Sequence, residues 1–514
     1  MGNETDDFFN AVNRFDSSED YNGLVNYVAG DKKDINIAIH AVYRLMQENK
    51  IKAAYVISKM FHNAGVQHPI LQFALAIGGL TTNNAEDEEI GISVLSAITT
   101  ALPVDKQALL YNQVIAAPLF RLTEGALIAG DDTRLMRILD ILKAGSPRFR
   151  QIFEEPCQKP LNLNMMRERG RERAKLIDFA LPPAGAPRPP RRVVVAVRNL
   201  FFPQNANSRL FDIGPRLTAA MNAYGWQTTF IPMKWANLAA EFQEVANVCE
   251  QEQADLLIFD DHVIEHHGSH GMRTSMIAQL RANLPALKIV ALHLDAWVID
   301  PSLMLHAGTS ADAIWTFAPS LAIWDHPALA NRAMQIPMPL GGSPGLPDAP
   351  LPSQMIFTGA IKGYNWHRVF WRVATMQADL PIEWSLSHHM ADNLSALDSF
   401  TAYMRRLGAT GCSLNMSMRP NLEYALTGRC FETLLSGALL VQEVCPDLDR
   451  YFIAGEHYLE FTTFAELQAM GEFLIANPST AESIRRAGNE FARAHYSDDK
   501  IIGYLDKHLF YPTP

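Results

Sequence analysis

The chain has 514 residues, well beyond the size at which a single hydrophobic core stops growing, so two to four domains are expected. Hydrophobic residues make up 48% and charged residues 19%, the balance of an ordinary globular protein. A net charge of −11 argues against a nucleic-acid surface, which needs a basic excess. No run approaches the roughly 20 apolar residues of a membrane span, and the polar, acidic start Met1-Gly-Asn-Glu-Thr-Asp-Asp7 does not read as a signal peptide. The five cysteines (Cys157, Cys249, Cys412, Cys430 and Cys445) lack any paired spacing. They predict mostly buried thiols in a reducing compartment, hence a cytoplasmic protein.

Residues 1–180 show helical periodicity and almost no strand signal. Ile35 to Met46, Ala53 to Phe61, Glu89 to Ile98 and Leu135 to Leu142 carry apolar residues at three- and four-residue steps. Helix starts near Ile51, Asp87 and Asp131 recur about every 35–45 residues, within the range of helix-pair repeats. A repeat array with tetratricopeptide-like small residues and an irregular helical bundle both fit. The arginine-rich stretch Met165 to Lys175 predicts a solvated helix. It leads into Leu181-Pro-Pro-Ala-Gly-Ala-Pro-Arg-Pro-Pro190, a stretch too rich in proline for helix or central strand and therefore a stiff linker over 181–190.

Residues 191–340 alternate short apolar strands with amphipathic helices. Strands are expected at Val193 to Val197, Thr228 to Ile231, Asp255 to Phe259, Lys288 to Leu292 and Ala313 to Phe317, with a helix from Leu210 to Tyr224 stopped by Gly225. After a second Pro/Gly linker over 341–353, residues 354–514 repeat the scheme. Strands are expected at Met355 to Phe357, Ile382 to Leu386, Cys412 to Met416 and Ala438 to Gln442. Two parallel, doubly wound Rossmann-like sheets follow, enclosing a cleft, and ligands of such sheets bind at the carboxyl ends of strands. This α/β layout is that of the GT-B fold.

The residues that carry chemistry cluster in the second sheet. Gly428 and Arg429 stand where a short helix begins, so free backbone N–H groups and a guanidinium would face one anion. Glu432, one turn in, can accept hydrogen bonds from vicinal sugar hydroxyls, and phosphate plus polyol describes a nucleotide sugar. The alternative is a solvated arginine and a glutamate that complements the helix dipole. Gly359 at a strand's carboxyl end, with Lys362 and Arg368 close behind, suits a diphosphate, or is an ordinary βα turn. Asn415 ends its strand where it could bond a donor or hold a loop. Ser387-His-His389 ends another and could approach a base. In the first sheet Asn205, Asn207 and Ser208 follow the opening strand and would line an acceptor side, or form a plain polar loop. Asp295, after His293, is a candidate general base or a structural capped aspartate. The cluster Asp260 to His270 holds metal-type ligands, but its spacing matches no standard site. It reads as a cleft loop, with no metal and no cofactor beyond the nucleotide-sugar substrate.

From Gln354 to His508 the chain resembles the carboxyl-terminal half of GT-B glycosyltransferases, the CgeB-like branch of the group 1 glycosyl transferases. The resemblance rests on Cys412-Ser-Leu-Asn-Met-Ser417, on Arg429-Cys-Phe-Glu432 with Gly437-Ala-Leu-Leu440, and on Tyr458-Leu-Glu-Phe461 with Phe464-Ala-Glu-Leu467. Ala487-Gly-Asn-Glu490 and His495-Tyr-Ser-Asp498 complete it. It implies a metal-independent glycosyltransferase in which the Gly359 loop faces the donor phosphates. Many retaining members place two glutamates eight positions apart. Here the position eight before Glu432 is Tyr424, with Glu423 beside it, so the stereochemical outcome stays open. Similar bacterial enzymes with helical repeats modify flagellins, which implies a protein acceptor docked by residues 1–180. A GT-B nucleotide-sugar epimerase and a non-catalytic nucleotide-binding adaptor are the competing readings.

Overall fold

The computed structural model describes residues 2–30, 35–101 apart from 49 and 83, 161–177, 189–198, 213–233, 237–260, 270–293, 310–316, 332–342, 354–359, 366–386, 396–418 and 424–511, with a few isolated positions between them. These residues form an all-helical segment followed by two parallel sheets flanked by helices. No helix among them is long and apolar enough to cross a membrane.

Helices Gly2–Ser17, Tyr21–Gly30, Ile35–Gln47, Ile51–Asn63, Pro69–Thr81 and Ala85–Ala101 pack together, the third on the fourth, the fourth on the fifth and the fifth on the sixth. Three of the four helical stretches expected from periodicity are present; of the fourth, Leu135 to Leu142, only Met136 and Arg137 are described, both helical. Helix Pro69–Thr81 carries no sequence periodicity because it is apolar nearly all round: Leu71, Ala74, Leu75, Ala76, Ile77 and Leu80 are all buried.

The first sheet comprises β1 (Arg192–Arg198), β2 (Gln227–Met233), β3 (Leu256–Asp260), β4 (Lys288–His293), β5 (Ala313–Thr316) and β6 (Ala333–Gln335), in the order β2-β1-β3-β4-β5-β6. All pairs are parallel. Its strands are valine- and isoleucine-rich without alternation because both faces are covered. Val193, Val195 and Val197 pack on one side with helix Ile213–Tyr224. Val194 and Ala196 pack on the other with helices Leu238–Glu252 and His270–Asn283.

The second sheet comprises β7 (Met355–Gly359), β8 (Ile382–Leu386), β9 (Cys412–Asn415), β10 (Leu439–Glu443) and β11 (Leu459–Phe461), in the order β11-β10-β9-β7-β8, again parallel. The short strands β6 and β11 escape a sequence reading, since three residues carry no pattern. In each sheet the second strand lies outside the first and the third lies on its other side. The order therefore reverses at β1/β3 and at β7/β9, and a crevice opens at each reversal.

Two features tie the parts together. The last helix, Asp498–Phe510, leaves the second sheet and returns to the first, where Ile501, Ile502, Leu505 and Leu509 join its core. At its start the Asp498 carboxylate accepts hydrogen bonds from Leu340 N at 2.6 Å and Gly342 N at 2.8 Å, so it grips the connection between the sheets. The second feature corrects an expectation. Helix Leu163–Arg173 is docked against the second sheet's β10–β11 side and is not free in solvent. Arg167 donates to Gly455 O at 2.9 Å, Arg171 pairs with Glu456, and Arg173 lies 2.7 Å from Glu460 and 3.1 Å from Asp449. Gly170 permits the contact, since a Cβ there would stand 2.5 Å from Ala454 O. The carboxylates that recruit these arginines lie some 280 positions further along the chain, out of reach of any local pattern.

Burial pushes the Asp449 and Glu460 carboxyls up, and Arg173 opposes that rise. Removing the guanidinium by Arg173→Ala should cost about 1–3 kcal/mol of stability at neutral pH, below the range for a fully buried pair because Arg173 keeps solvent contact. A carboxyl whose folded-state pKa is raised favours the folded state below its ordinary titration range and loses that benefit as pH rises through the raised value. The gap in melting temperature between variant and parent should therefore narrow on acidification from pH about 7 toward the carboxylate range. A gap that widens in acid would exclude this account.

Candidate functional site

At the β7/β9 reversal the chain brings together residues far apart in sequence. Gly359 ends β7 with φ of +150°, a conformation side chains rarely adopt, and a Cβ there would meet the Arg429 guanidinium at 3.2 Å. Glycine suits this turn because a side chain would be strained by the backbone conformation and would press on the guanidinium. Asn415 ends β9 and accepts from Arg429 Nη1 at 3.3 Å. The Asn415 amide donates to Gln442 Oε1 at 2.7 Å. Gln442 in turn donates to Ser417 Oγ at 2.5 Å and to the Glu443 carbonyl at 2.6 Å. The Glu443 carboxylate accepts from the backbone N–H groups of Ser417 and Met418, both at 2.8 Å. Asn415, Ser417, Gln442 and Glu443 are all buried, so the layer beneath Arg429 is a hydrogen-bonded platform.

Helix Arg429–Leu435 begins at Gly428, as the spacing predicts, and the amides of Cys430, Phe431 and Glu432 are taken up within its own first turn. Cys430 N donates to Thr427 O at 3.2 Å, and Phe431 N and Glu432 N both donate to Gly428 O at 3.0 Å. Gly428 is itself in the helical region, so the first turn winds back on Thr427 and consumes these donors.

Glu432 is held on both oxygens. Tyr403, from helix Ala396–Thr410, donates to Oε2 at 3.1 Å, and its hydroxyl lies 3.4 Å from Thr358 Oγ1 at the end of β7. Arg216, from helix Ile213–Tyr224 of the first sheet, places Nη1 3.6 Å from Oε1. Its guanidinium stacks 4.1 Å from the Phe400 ring centre. Tyr403, Gln442, Glu443 and Arg216 were not singled out by sequence, because their partners are fixed only when the sheets assemble. Gly428 also crowds Glu432, since a Cβ there would lie 3.3 Å from Oε1.

Arg368 is buried beneath this group, donating to Met416 O at 3.4 Å with its guanidinium 5.7 Å from the Phe357 ring centre. It braces the end of β9 from below. Lys362, Asp295, Asn205, Asn207, Ser208 and Ser387 to His389 lie outside the described residues, as do the side chains of Asp260 to His270. Among the described residues no group of His, Cys, Asp and Glu could hold a metal ion. Cys430, beside Asn415, is a buried thiol pushed up to about 12 by desolvation; it keeps its proton, donates to Gln442 Oε1 at 3.1 Å and is not a nucleophile.

The arrangement offers a guanidinium on a bare backbone turn, with a carboxylate one helical turn away. Such a pair can accept a phosphate and a polyol side by side. No curated protein matches the chain in sequence. Among solved structures, HepE from Anabaena, in complex with UDP and glucose, is 10% identical, with a TM-score of 0.41 over 62% of this chain and 99% of that one. A glycosyltransferase from Rickettsia africae is 9% identical, with a TM-score of 0.42 over 63% of this chain and 100% of that one. A sequence-family model does match, and it spans Tyr403, Asn415, Arg429 and Glu432: residues 364–505 of this chain are similar to the family described as Glycosyl transferase-like.

Proposed function

We propose that this chain is a glycosyltransferase that moves a sugar from a nucleoside-diphosphate donor to an acceptor. The observation that carries the reading is the Arg429 guanidinium seated on Gly359 at the β7/β9 crevice, with Glu432 one turn further along the same helix. Glycosyl transfer expels a phosphate, and a fixed cation in a partly enclosed site stabilises the negative charge that develops on the leaving group. The buried layer under Arg429 holds that cation in place before substrate arrives, so little reorganisation is needed at the moment of reaction. The match over residues 364–505 supports the same class. Four buried free thiols among the described residues suit a reducing compartment and a cytoplasmic site of action.

Arg429→Ala should weaken binding of nucleoside diphosphates by about 1.5–3 kcal/mol, the size of one charged hydrogen-bonded contact. Calorimetry with UDP, GDP and ADP reads this directly, and unchanged affinity for all of them would remove the site. Binding without sugar transfer or donor hydrolysis would instead favour the non-catalytic adaptor. Interconversion of the free nucleotide sugar would favour the epimerase.

Turnover should survive EDTA, because the Arg429 guanidinium supplies the charge that a divalent ion supplies elsewhere. Full and reversible loss of turnover on chelation would transfer that role to the Asp260 to His270 segment.

We further propose that the acceptor is a protein, such as a bacterial surface or flagellar protein, docked partly by the helical segment. Stacked helices expose extended surfaces suited to polypeptides. Helix Leu163–Arg173 fixes the segment's exit to the second sheet, which would hold a docked acceptor near the crevice and raise its effective concentration. Removing residues 1–160 leaves that clamp in place, and donor hydrolysis should persist while transfer to the protein acceptor collapses. Transfer at the full rate by the truncated chain would end the docking proposal.

A further inference from the structure

A row of polar side chains crosses three strands of the second sheet. Pairing sets Glu460 of β11 beside Gln442 of β10, and Gln442 beside Asn415 of β9. Registered positions of parallel strands project to one face, about 4.8 Å apart. Two positions back on that face, Tyr458 and Leu440 share an apolar cluster with Phe431, so the row lies under the helix that carries Arg429. At its inner end the Asn415 amide donates to Gln442, and the Asn415 oxygen accepts from Arg429. At its outer end Glu460 accepts from Arg173 Nη2 at 2.9 and 2.7 Å and from the Tyr458 hydroxyl at 3.3 Å. Arg173 belongs to the stretch by which the chain leaves the helical segment. Just beyond it, Lys175 N donates to Asp449 O and Ile177 N to Arg450 O, both at 2.9 Å. Backbone hydrogen bonds as well as charge therefore tie this stretch to the edge of the sheet.

We infer that Arg173 is a positioning residue for Arg429, and that the exit of the helical segment is coupled to the donor site through the row Arg173, Glu460, Gln442, Asn415 and Arg429. The inference rests on the reading of Arg429 as the contact to the donor phosphates and adds a residue that acts on it from outside the sheet. The physical reason is the charge on Glu460, whose side chain is only 11% exposed. Without Arg173 this carboxylate must take a proton or draw donors from its neighbours, since a buried charge without a counter-ion is costly. The registered neighbour is Gln442, whose amide now donates to Ser417 Oγ and the Glu443 carbonyl. Turning that amide toward Glu460 carries away the Oε1 on which the Asn415 amide is anchored. Asn415 then loses its single direction, and so does the guanidinium that donates to it. A partner that shifts the exit stretch on docking to the helical segment acts on the donor site by the same route, without touching the donor.

Calorimetry on the full chain with inorganic pyrophosphate, UDP, GDP and ADP, below the melting temperature of every variant, reads this coupling. Arg173→Ala should weaken each ligand that the parent binds by about three- to tenfold, within the range by which remote residues modulate a coupled site. Arg171→Ala removes the neighbouring, solvent-facing pair with Glu456 and should stay within about twofold of the parent. In a Glu460→Gln background the loss caused by Arg173→Ala should shrink below about twofold, because the buried charge that Arg173 balances is gone. A residue that only supported the fold would lower the melting temperature without this pattern of affinities. No loss in Arg173→Ala, an equal loss in Arg171→Ala, or a loss undiminished by Glu460→Gln would each overturn the inference. If the alanine variant does not fold, Arg173→Met, which keeps the apolar stem, takes its place. The parent chain gives an independent reading, since coupling between sites is reciprocal. A saturating nucleoside diphosphate should slow amide deuterium exchange at residues 171–177 more than in β2 of the first sheet. Exchange that is unchanged there, or slowed only as much as in β2, would count as decisively against the coupling. A parent that binds none of these ligands would bring down the donor reading, and this inference with it. Binding without coupling would bring down this inference alone.

Discussion

The Asp498 carboxylate, which accepts hydrogen bonds from the backbone of Leu340 and Gly342, is the contact on which the rest of the arrangement depends. It lies where the chain leaves the second sheet and turns back to the first, and it binds the connection that the chain used on its way out. Helices cover both faces of each sheet, so neither has an apolar face to offer the other. What joins them is the returning helix, whose Ile501, Ile502, Leu505 and Leu509 are buried in the first sheet's core. Burial pushes the Asp498 carboxyl up while the backbone donors pull it down. The balance shows a group that gives up solvation and regains it as hydrogen bonds.

The same principle operates beneath the site. Asn415, Ser417, Gln442 and Glu443 are buried polar side chains at the carboxyl ends of β9 and β10, where a purely apolar end would pack more cheaply. Their hydrogen bonds run from strand to strand and end on Arg429, so a cation that would otherwise sample many rotamers is given one direction. Stiffness at this point matters because a charge already aimed at the leaving phosphate contributes more than one that must be reoriented. The bare backbone of Gly359 completes the geometry, since any side chain would occupy the ground on which the guanidinium rests.

The helical segment is joined to the second sheet by apolar and ionic contacts. Tyr55, Leu75, Leu80 and Leu95 belong to the same apolar cluster as Met355, Phe357 and Leu414 of the sheet. Arg167, Arg171 and Arg173 then fix the exit helix by charge. Apolar contact supplies the affinity, and the paired charges supply the register, because a shift along the helix would leave Asp449 and Glu460 buried without a counter-ion.

Periodicity and turn chemistry are local properties, and they determined a great deal. The valine runs at β1, the apolar strands at β7 to β10, the stop at Gly225 and the Pro/Gly breaks are all written in neighbouring residues, so the two sheets and the helical segment could be read directly. Gly359, Asn415, Arg429 and Glu432 could be picked out as well, because each ends a strand or opens a helix. What stayed illegible depends on partners distant in the chain. Arg173 finds Glu460 and Asp449, Arg216 finds Glu432 across the cleft, and Gln442 finds Asn415 only after the strand order is set. Local pattern also misjudged the docked arginine helix, whose fate is decided by which carboxylate lies within 3 Å or so. The sequence by itself therefore determined the elements and their chemistry. Only the tertiary structure decided which charges meet, because the energy of a polar group is fixed by its neighbours in space and not by its neighbours in the chain.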